Sequence, residues 1–186
     1  MEIVEKGLKG VFVVKLAPLW DERGYFMRTY DDRAFREKGL HREWVNENHS
    51  YSEKKGTVRG LHFQFQPFAE TKLIRALYGD IYVVFLDLRK GSETFGEWGS
   101  EMLKGNGEKM LYVGRGFAMG ICSLTDKCAL QYKMDNYYAP DKQGAIKWND
   151  PDIGIDWPVN DPVISDRDLG AWSFKEFNDK FGGLEG

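Results

Sequence analysis

Three histidines, His41, His49 and His62, are the side chains whose ordinary pKa suits proton transfer near neutrality. His41 lies in the charged stretch Leu40-His41-Arg42-Glu43-Trp44 and reads as a solvated surface residue. His49 and His62 stand in richer company, Asn48-His49-Ser50 and Arg59-Gly60-Leu61-His62-Phe63-Gln64. A lone histidine in a strand-rich chain is more often a structural hydrogen-bonding group. What points His62 toward general-base chemistry is the pair of cations flanking it, Arg59 and Lys72, and a glycine two positions earlier where a ligand could approach the backbone. Arg23 follows a turn signal and precedes an aromatic run in Asp21-Glu22-Arg23-Gly24-Tyr25-Phe26. Guanidinium forks suit diphosphate oxygens, and aromatic faces suit a nucleobase. A metal centre needs several His, Asp or Glu ligands at compatible spacing. Phe63-Gln64 follow His62 where a second histidine would be wanted, so no metal is expected.

The bulk numbers leave room for such a site and remove some rivals. The 186 residues suit one domain with a sizeable core, and 42% hydrophobic with 30% charged residues is ordinary for a globular chain. A net charge of -3 argues against a general nucleic-acid binder, whose backbone affinity comes from excess Lys and Arg. An aromatic share of 15% suggests strands, or a pocket that stacks planar rings. Cys122 and Cys128 are too few for a disulfide framework or a four-ligand zinc site and read as thiols in a reducing cytoplasm. No apolar run approaches the ~18 residues of a membrane span, and the N-terminal stretch lacks a signal-peptide core. A cytoplasmic protein without a membrane partner is expected.

The elements that must hold these groups are mostly short strands. Val11–Leu16 reads as a strand ended by Pro18, and strands are expected at 109–113, 118–124 and 129–134. Residues 71–78 and 81–88 flank Gly79-Asp80 and read as a hairpin. Residues 31–38 suit a short helix with Asp31 or Asp32 as N-cap and Gly39 as its stop, and 173–180 suit a terminal helix. Many strands near ten-residue spacing predict an all-β sandwich or barrel, a jelly roll with a few short helices and a cavity between its sheets. Strict alternation would turn Gly60, His62 and Gln64 to one face and Arg59, Leu61 and Phe63 to the other.

The stretches DERGYFMRTY (21–30), NHSYSEKKGTVRGLHFQ (48–64), KLIRALYGDIYVVFLDLRKGSETFGEW (72–98), GRGFAMG (114–120), QYKMDNYYAP (131–140) and IKWNDPDIGIDWP (146–158) together resemble the dTDP-4-dehydrorhamnose 3,5-epimerase family. They cover most of the chain in the expected order. The resemblance implies a double-stranded β-helix of the cupin type, a homodimer, a nucleoside-diphosphate 4-keto sugar as ligand, and no metal or other cofactor. By the same resemblance His62 is the general base, Asp168 of Ser165-Asp166-Arg167-Asp168 its carboxylate partner, Lys72 the cation near the ketone oxygen and Tyr132 the proton donor on the opposite sugar face. Arg23 and Arg59 are implied diphosphate ligands. The resemblance also implies that Phe26 and Tyr138 belong to the nucleotide and sugar pocket, with Arg28, Asn46, Asn48, Gln64 and Met119 among the other substrate-binding positions.

The chemistry agrees with those roles. Carbons 3 and 5 flank the C4 ketone, so their protons are weakly acidic and their removal gives an enolate. An imidazole suits the abstraction, and a buried carboxylate on its other nitrogen would fix the tautomer and stabilise the imidazolium. A lysine aimed at O4 stabilises charge that develops only in the transition state, a contact typically worth about 3 kcal/mol. Inversion then needs a second acid on the far face, which a phenol can supply.

Four positions depart from the family pattern. Met119 stands where a histidine is usual in GFAHG, Val83 where an aspartate is usual, Arg28 where a glutamate is usual and Asn46 where a glutamine is usual. The first two predict a pocket with fewer polar partners, hence a substrate lacking a hydroxyl or inversion at one carbon only. Arg28 can donate but not accept a hydrogen bond, so the base could be cytosine or guanine rather than thymine, unless Arg28 is a relocated surface residue. The rival readings are accordingly a single-position epimerase on a CDP- or GDP-linked 4-keto sugar, a sugar-nucleotide-binding module without catalysis, and a metal-dependent cupin.

Overall fold

The structure is a computed structural model, and it describes residues 1–105 and 107–185. In chain order the strands are β1 (Glu2–Glu5), β2 (Val11–Lys15), β3 (Leu19–Asp21), β4 (Gly24–Phe26), β5 (Asn46–Ser52), β6 (Val58–Gln64) and β7 (Lys72–Tyr78). They continue with β8 (Ile81–Asp87), β9 (Trp98–Leu103), β10 (Lys109–Val113), β11 (Phe117–Ser123), β12 (Cys128–Met134) and β13 (Gln143–Ala145). Among the described residues three short α-helices interrupt them, α1 (Asp32–Glu37), α2 (Asp166–Leu169) and α3 (Phe174–Phe181), besides a 3-10 turn at Pro140–Lys142. The Asp31 carboxylate caps α1 by accepting from the Arg33 and Ala34 amides, and Gly39 follows in the left-handed region. Ser173 caps α3 through a capping box with Glu176.

Two sheets face each other as a jelly roll. One runs β1-β2-β10-β7-β12-β5 and the other β13-β6-β11-β8-β9, with all named pairings antiparallel. The central strands β2, β7, β10, β8 and β11 are covered on both sides, which is why they are nearly continuously apolar, whereas β5 at the edge of the first sheet alternates half-buried and exposed residues. Val11, Val13, Ile74, Ala76, Leu111 and Val113 of the first sheet meet Ile81, Val83, Phe85 and Phe117 of the second in the central core. The alternate residues Val14, Leu73, Met110 and Tyr112 pack outward against Phe35 of α1. On the second sheet Leu61, Phe63, Val84 and Leu86 are covered by the C-terminal segment through Trp157, Phe177 and Leu184.

The expected hairpin around Gly79-Asp80 does not form. β7 lies between β10 and β12, whereas β8 lies between β11 and β9 in the other sheet. The turn is therefore a corner that carries the chain across the sandwich, and Ile74 and Ala76 meet Ile81 and Val83 through the core instead of side by side. Gly79 suits the corner, with φ +70 and no room for a Cβ, which would stand 2.4 Å from Cys128 Sγ. Both cysteines are buried and free; burial pushes the Cys122 thiol up to about 11.

Candidate active site

At one end the sandwich opens into a cavity of about 760 Å³, within the size range of small-molecule sites. β6 supplies His62 and Arg59 to one wall. The expected alternation would have turned Arg59 away from His62, but the pairing of β6 with β11 shifts register between Met119 and Ile121, so that Met119 faces His62 while Ile121 faces Arg59. The extra residue of this bulge is absorbed near Gly60, and side chains three apart come to share a face. Only a glycine fits there. Its φ is +112, and a Cβ would lie 2.6 Å from the Met119 carbonyl oxygen.

The same glycine helps to hold the acid that partners His62. Asp168 Oδ2 accepts from the Gly60 amide at 3.1 Å, and Asp168 Oδ1 lies 2.6 Å from His62 Nε2. Ser165 caps α2 by accepting from the Asp168 amide, which fixes the carboxylate over β6. Asp168 is buried, which by itself would raise its pKa. The hydrogen bond and charge of His62, with the Gly60 amide, outweigh burial and hold the carboxyl below the usual range. With Nε2 engaged, Nδ1 is the ring nitrogen left to take a proton.

The facing wall comes from the other sheet. Tyr132 of β12 pairs with Ile74 of β7 on one side and Asn48 of β5 on the other; Met134 likewise stands between Lys72 and Asn46. All of these line the cavity. Burial, then the charge of Glu70, pushes the Tyr132 phenol up, with Arg59 opposing, so the phenol keeps its proton at neutral pH. Lys72 Nζ is bound by Glu70 Oε1 at 2.6 Å. Tyr138 and Met119 also line the cavity, and the Tyr138 hydroxyl donates to Gln143 Oε1 at 3.3 Å.

Four expected ligand positions lie elsewhere. Arg23 and Phe26 sit on the β3–β4 ribbon, outside this cavity, where Arg23 pairs with Asp21 and is 84% exposed. Arg28 is a surface residue paired with Asp31, the N-cap of α1, so the argument from Arg28 against thymine loses its basis in this cavity. Gln64 is buried behind the wall. Its Nε2 shares its two hydrogens among the Phe68 and Tyr137 carbonyls and Glu70 Oε2, and its Oε1 accepts from the Ala139 amide. Those bonds use its polar atoms, and its place is to hold the loop that carries Tyr138. Of the departures, Met119 does stand in the wall, opposite His62, while Val83 is fully buried in the core and outside the lining.

Sequence reasoning missed Glu70, Gln143 and Arg167, all of which line the cavity. Glu70 could have been found: it stands two residues before Lys72, the spacing that puts side chains on one face of an extended chain. Arg167 adjoins Asp168 and donates to Gln143 Oε1, which gives the cavity lining a second guanidinium in addition to Arg59. Among the described residues no group of three or more His, Cys, Asp or Glu is placed to hold a metal ion, and no helix is long and apolar enough to cross a membrane.

An imidazole backed by a carboxylate on one wall, and an ammonium and a phenol on the other, inside a jelly roll, define a cupin-type acid–base site. The dTDP-4-dehydrorhamnose 3,5-epimerase family model matches residues 5–176, and the chain belongs to that family. It is similar to the dTDP-4-dehydrorhamnose 3,5-epimerase of Shigella flexneri, 37% identical over 94% of this chain and 96% of that one. The Methanothermobacter thermautotrophicus enzyme of the same name is 40% identical over 89% and 90%. The fold matches the crystal structure of the Legionella pneumophila dTDP-6-deoxy-D-glucose-3,5-epimerase in complex with dTDP-4-keto-L-rhamnose, with a TM-score of 0.91, 31% identity, and coverage of 99% of this chain and 97% of that one.

Proposed function

We propose that the protein inverts C3 and C5 of dTDP-4-keto-6-deoxy-D-glucose, giving dTDP-4-keto-L-rhamnose. The observation that carries this reading is His62 of one sheet, backed by Asp168 of α2, facing Lys72 and Tyr132 of the other sheet around one cavity. A sugar ring between the two walls exposes one face to a base and the other to an acid. His62 takes the proton from the carbon beside the ketone, and Asp168 stabilises the imidazolium that forms. The Lys72 ammonium holds the oxyanion as it develops on O4, and Tyr132 returns a proton from the opposite side. The carbon's oxidation state is unchanged throughout, so the chemistry calls for no redox cofactor. Arg59 and Arg167, both in the cavity lining, suit the diphosphate.

The protein acts, in this reading, as a homodimer. The β3–β4 ribbon carries Leu19, Trp20, Tyr25 and Phe26 exposed together, with Leu19 and Phe26 each 68% accessible. An apolar ribbon of this kind favours a protein partner, and Arg23 and Phe26 on it would then be offered to a second copy rather than to their own cavity.

The test is product analysis by NMR after incubation with dTDP-4-keto-6-deoxyglucose in D2O. Deuterium at both C3 and C5 of a doubly inverted sugar is expected. Inversion at one carbon, or turnover only with CDP- or GDP-linked analogues, would replace this reading.

A further inference from the structure

Lys72 is the odd residue on the inner face of β7. The next two inward positions, Ile74 and Ala76, belong to the central core, whereas Lys72 is only 8% accessible and carries a charge. A buried ammonium of this kind needs a counter-ion. Glu70 provides it. One carboxylate oxygen lies 2.6 Å from Lys72 Nζ, and the other accepts from Gln64 Nε2, also at 2.6 Å. Gln64 is itself held by the Phe68 and Tyr137 carbonyls and the Ala139 amide, so its amide sets the position of the carboxylate. Both Glu70 and Lys72 line the cavity.

Buried ion pairs are poor stabilisers of a fold, because desolvation offsets the attraction and apolar replacements are often neutral or better. A pair held this way, opening on a cavity, is therefore better explained by what it does to the cavity. An ammonium has three donors. With one committed to Glu70, the stem of Lys72 is fixed and the remaining donors stay available to an oxygen of the ligand. We infer that Glu70 is a positioning residue of the reaction, a fixed anchor that holds the Lys72 ammonium aimed at the ketone oxygen, with Gln64 as the strut behind it. The inference rests on the role of Lys72 given above. It adds that Glu70 acts only through Lys72, with no contact to the sugar of its own.

Steady-state kinetics on dTDP-4-keto-6-deoxyglucose with wild type, Glu70→Gln, Lys72→Gln and the double variant test this as a cycle. Glu70→Gln keeps the shape and an acceptor for Gln64 but removes the charge. It should lower kcat about tenfold or more, with KM and calorimetric dTDP affinity within twofold of wild type. In the Lys72→Gln background the same change should cost less than about threefold, since the group it acts through is gone. Glu70→Asp should recover part of the lost kcat. Equal losses in both backgrounds, or a KM effect with kcat intact, would overturn the inference. Should Glu70→Gln not fold, the cycle is run with Glu70→Asp, and the same two outcomes decide. A Lys72→Gln variant as active as wild type would take down the role of Lys72 and this inference together. An impaired Lys72→Gln beside a fully active Glu70→Gln would remove this inference alone.

Discussion

Asp168 and His62 lie 106 residues apart in the chain and 2.6 Å apart in space, Oδ1 to Nε2. The contact joins the short α2 turn to the middle of β6 and leaves the imidazole with one nitrogen for the cavity. It is the geometry the proposed base needs, with its tautomer set from behind. The Gly60 amide, bonded to the other carboxylate oxygen, ties the same aspartate to the bulge that turns Arg59 inward.

Replacement of Tyr132 by Phe should separate exchange from inversion. The base on the His62 wall would still remove and return protons, so deuterium wash-in at the starting configuration persists. Formation of the inverted sugar should fall by about 100-fold or more, within the usual range for a lost general acid. NMR of recovered substrate and product in D2O measures both, and unchanged inversion would place the acid elsewhere.

Asp87 governs stability away from the cavity. Its buried carboxylate accepts from Arg89, Ser92 and Thr94 side chains and the Arg89 amide. Burial alone would raise its pKa, but these bonds prevail and hold it below the ordinary 3.8. A depressed carboxyl adds stability that is fully present above its unfolded pKa and is lost as pH falls through the folded value. Asp87→Asn should therefore cost about 3 kcal/mol near neutrality, where it breaks a buried charged network. The gap between variant and wild type should narrow below about pH 4. Urea melts near pH 7 and near pH 3 check both statements; a gap that widens in acid contradicts them.

The exposed ribbon predicts an assembly that polar substitutions weaken. Trp20 and Phe26, both about two-thirds accessible on β3 and β4, are replaced together by Ser. Analytical ultracentrifugation should then show a dimer for wild type and a shift of at least tenfold toward monomer for the variant. A variant dimer as tight as wild type would move the interface off this ribbon.

Much of the scaffold was legible because strand burial leaves a local record. The apolar runs at 109–113, 118–124 and 129–134 match β10, β11 and β12 within a residue; of the two cap candidates for α1 the structure uses Asp31, and Ser173, read as the first residue of the terminal helix, is its N-cap. The hairpin at Gly79-Asp80 was misread for a physical reason. A glycine turn signals that the chain reverses, but whether the next strand joins the same sheet or the facing one is decided by the core. Arg59 was turned the wrong way because one inserted residue in a bulge resets the alternation, and nothing in Arg59-Gly60-Leu61 alone says so. Gln64 was expected in the wall and instead holds it from behind, since hydrogen bonds to Phe68, Glu70, Tyr137 and Ala139 exist only once two loops have met. Arg23 and Phe26 were expected at the ligand from the resemblance, and nothing in their local sequence says that the β3–β4 ribbon holds them outside this cavity.

The central claim is that one imidazole lifts the proton beside the carbonyl. It is tested most directly by solvent exchange in His62→Asn with dTDP-4-keto-6-deoxyglucose in D2O, read by NMR beside calorimetric dTDP binding. Deuterium incorporation at both C3 and C5 should fall by at least ~1,000-fold, within the range lost when a general base is removed, while dTDP affinity stays within about threefold. Exchange that continues at the wild-type rate in a variant that still binds dTDP would contradict the account.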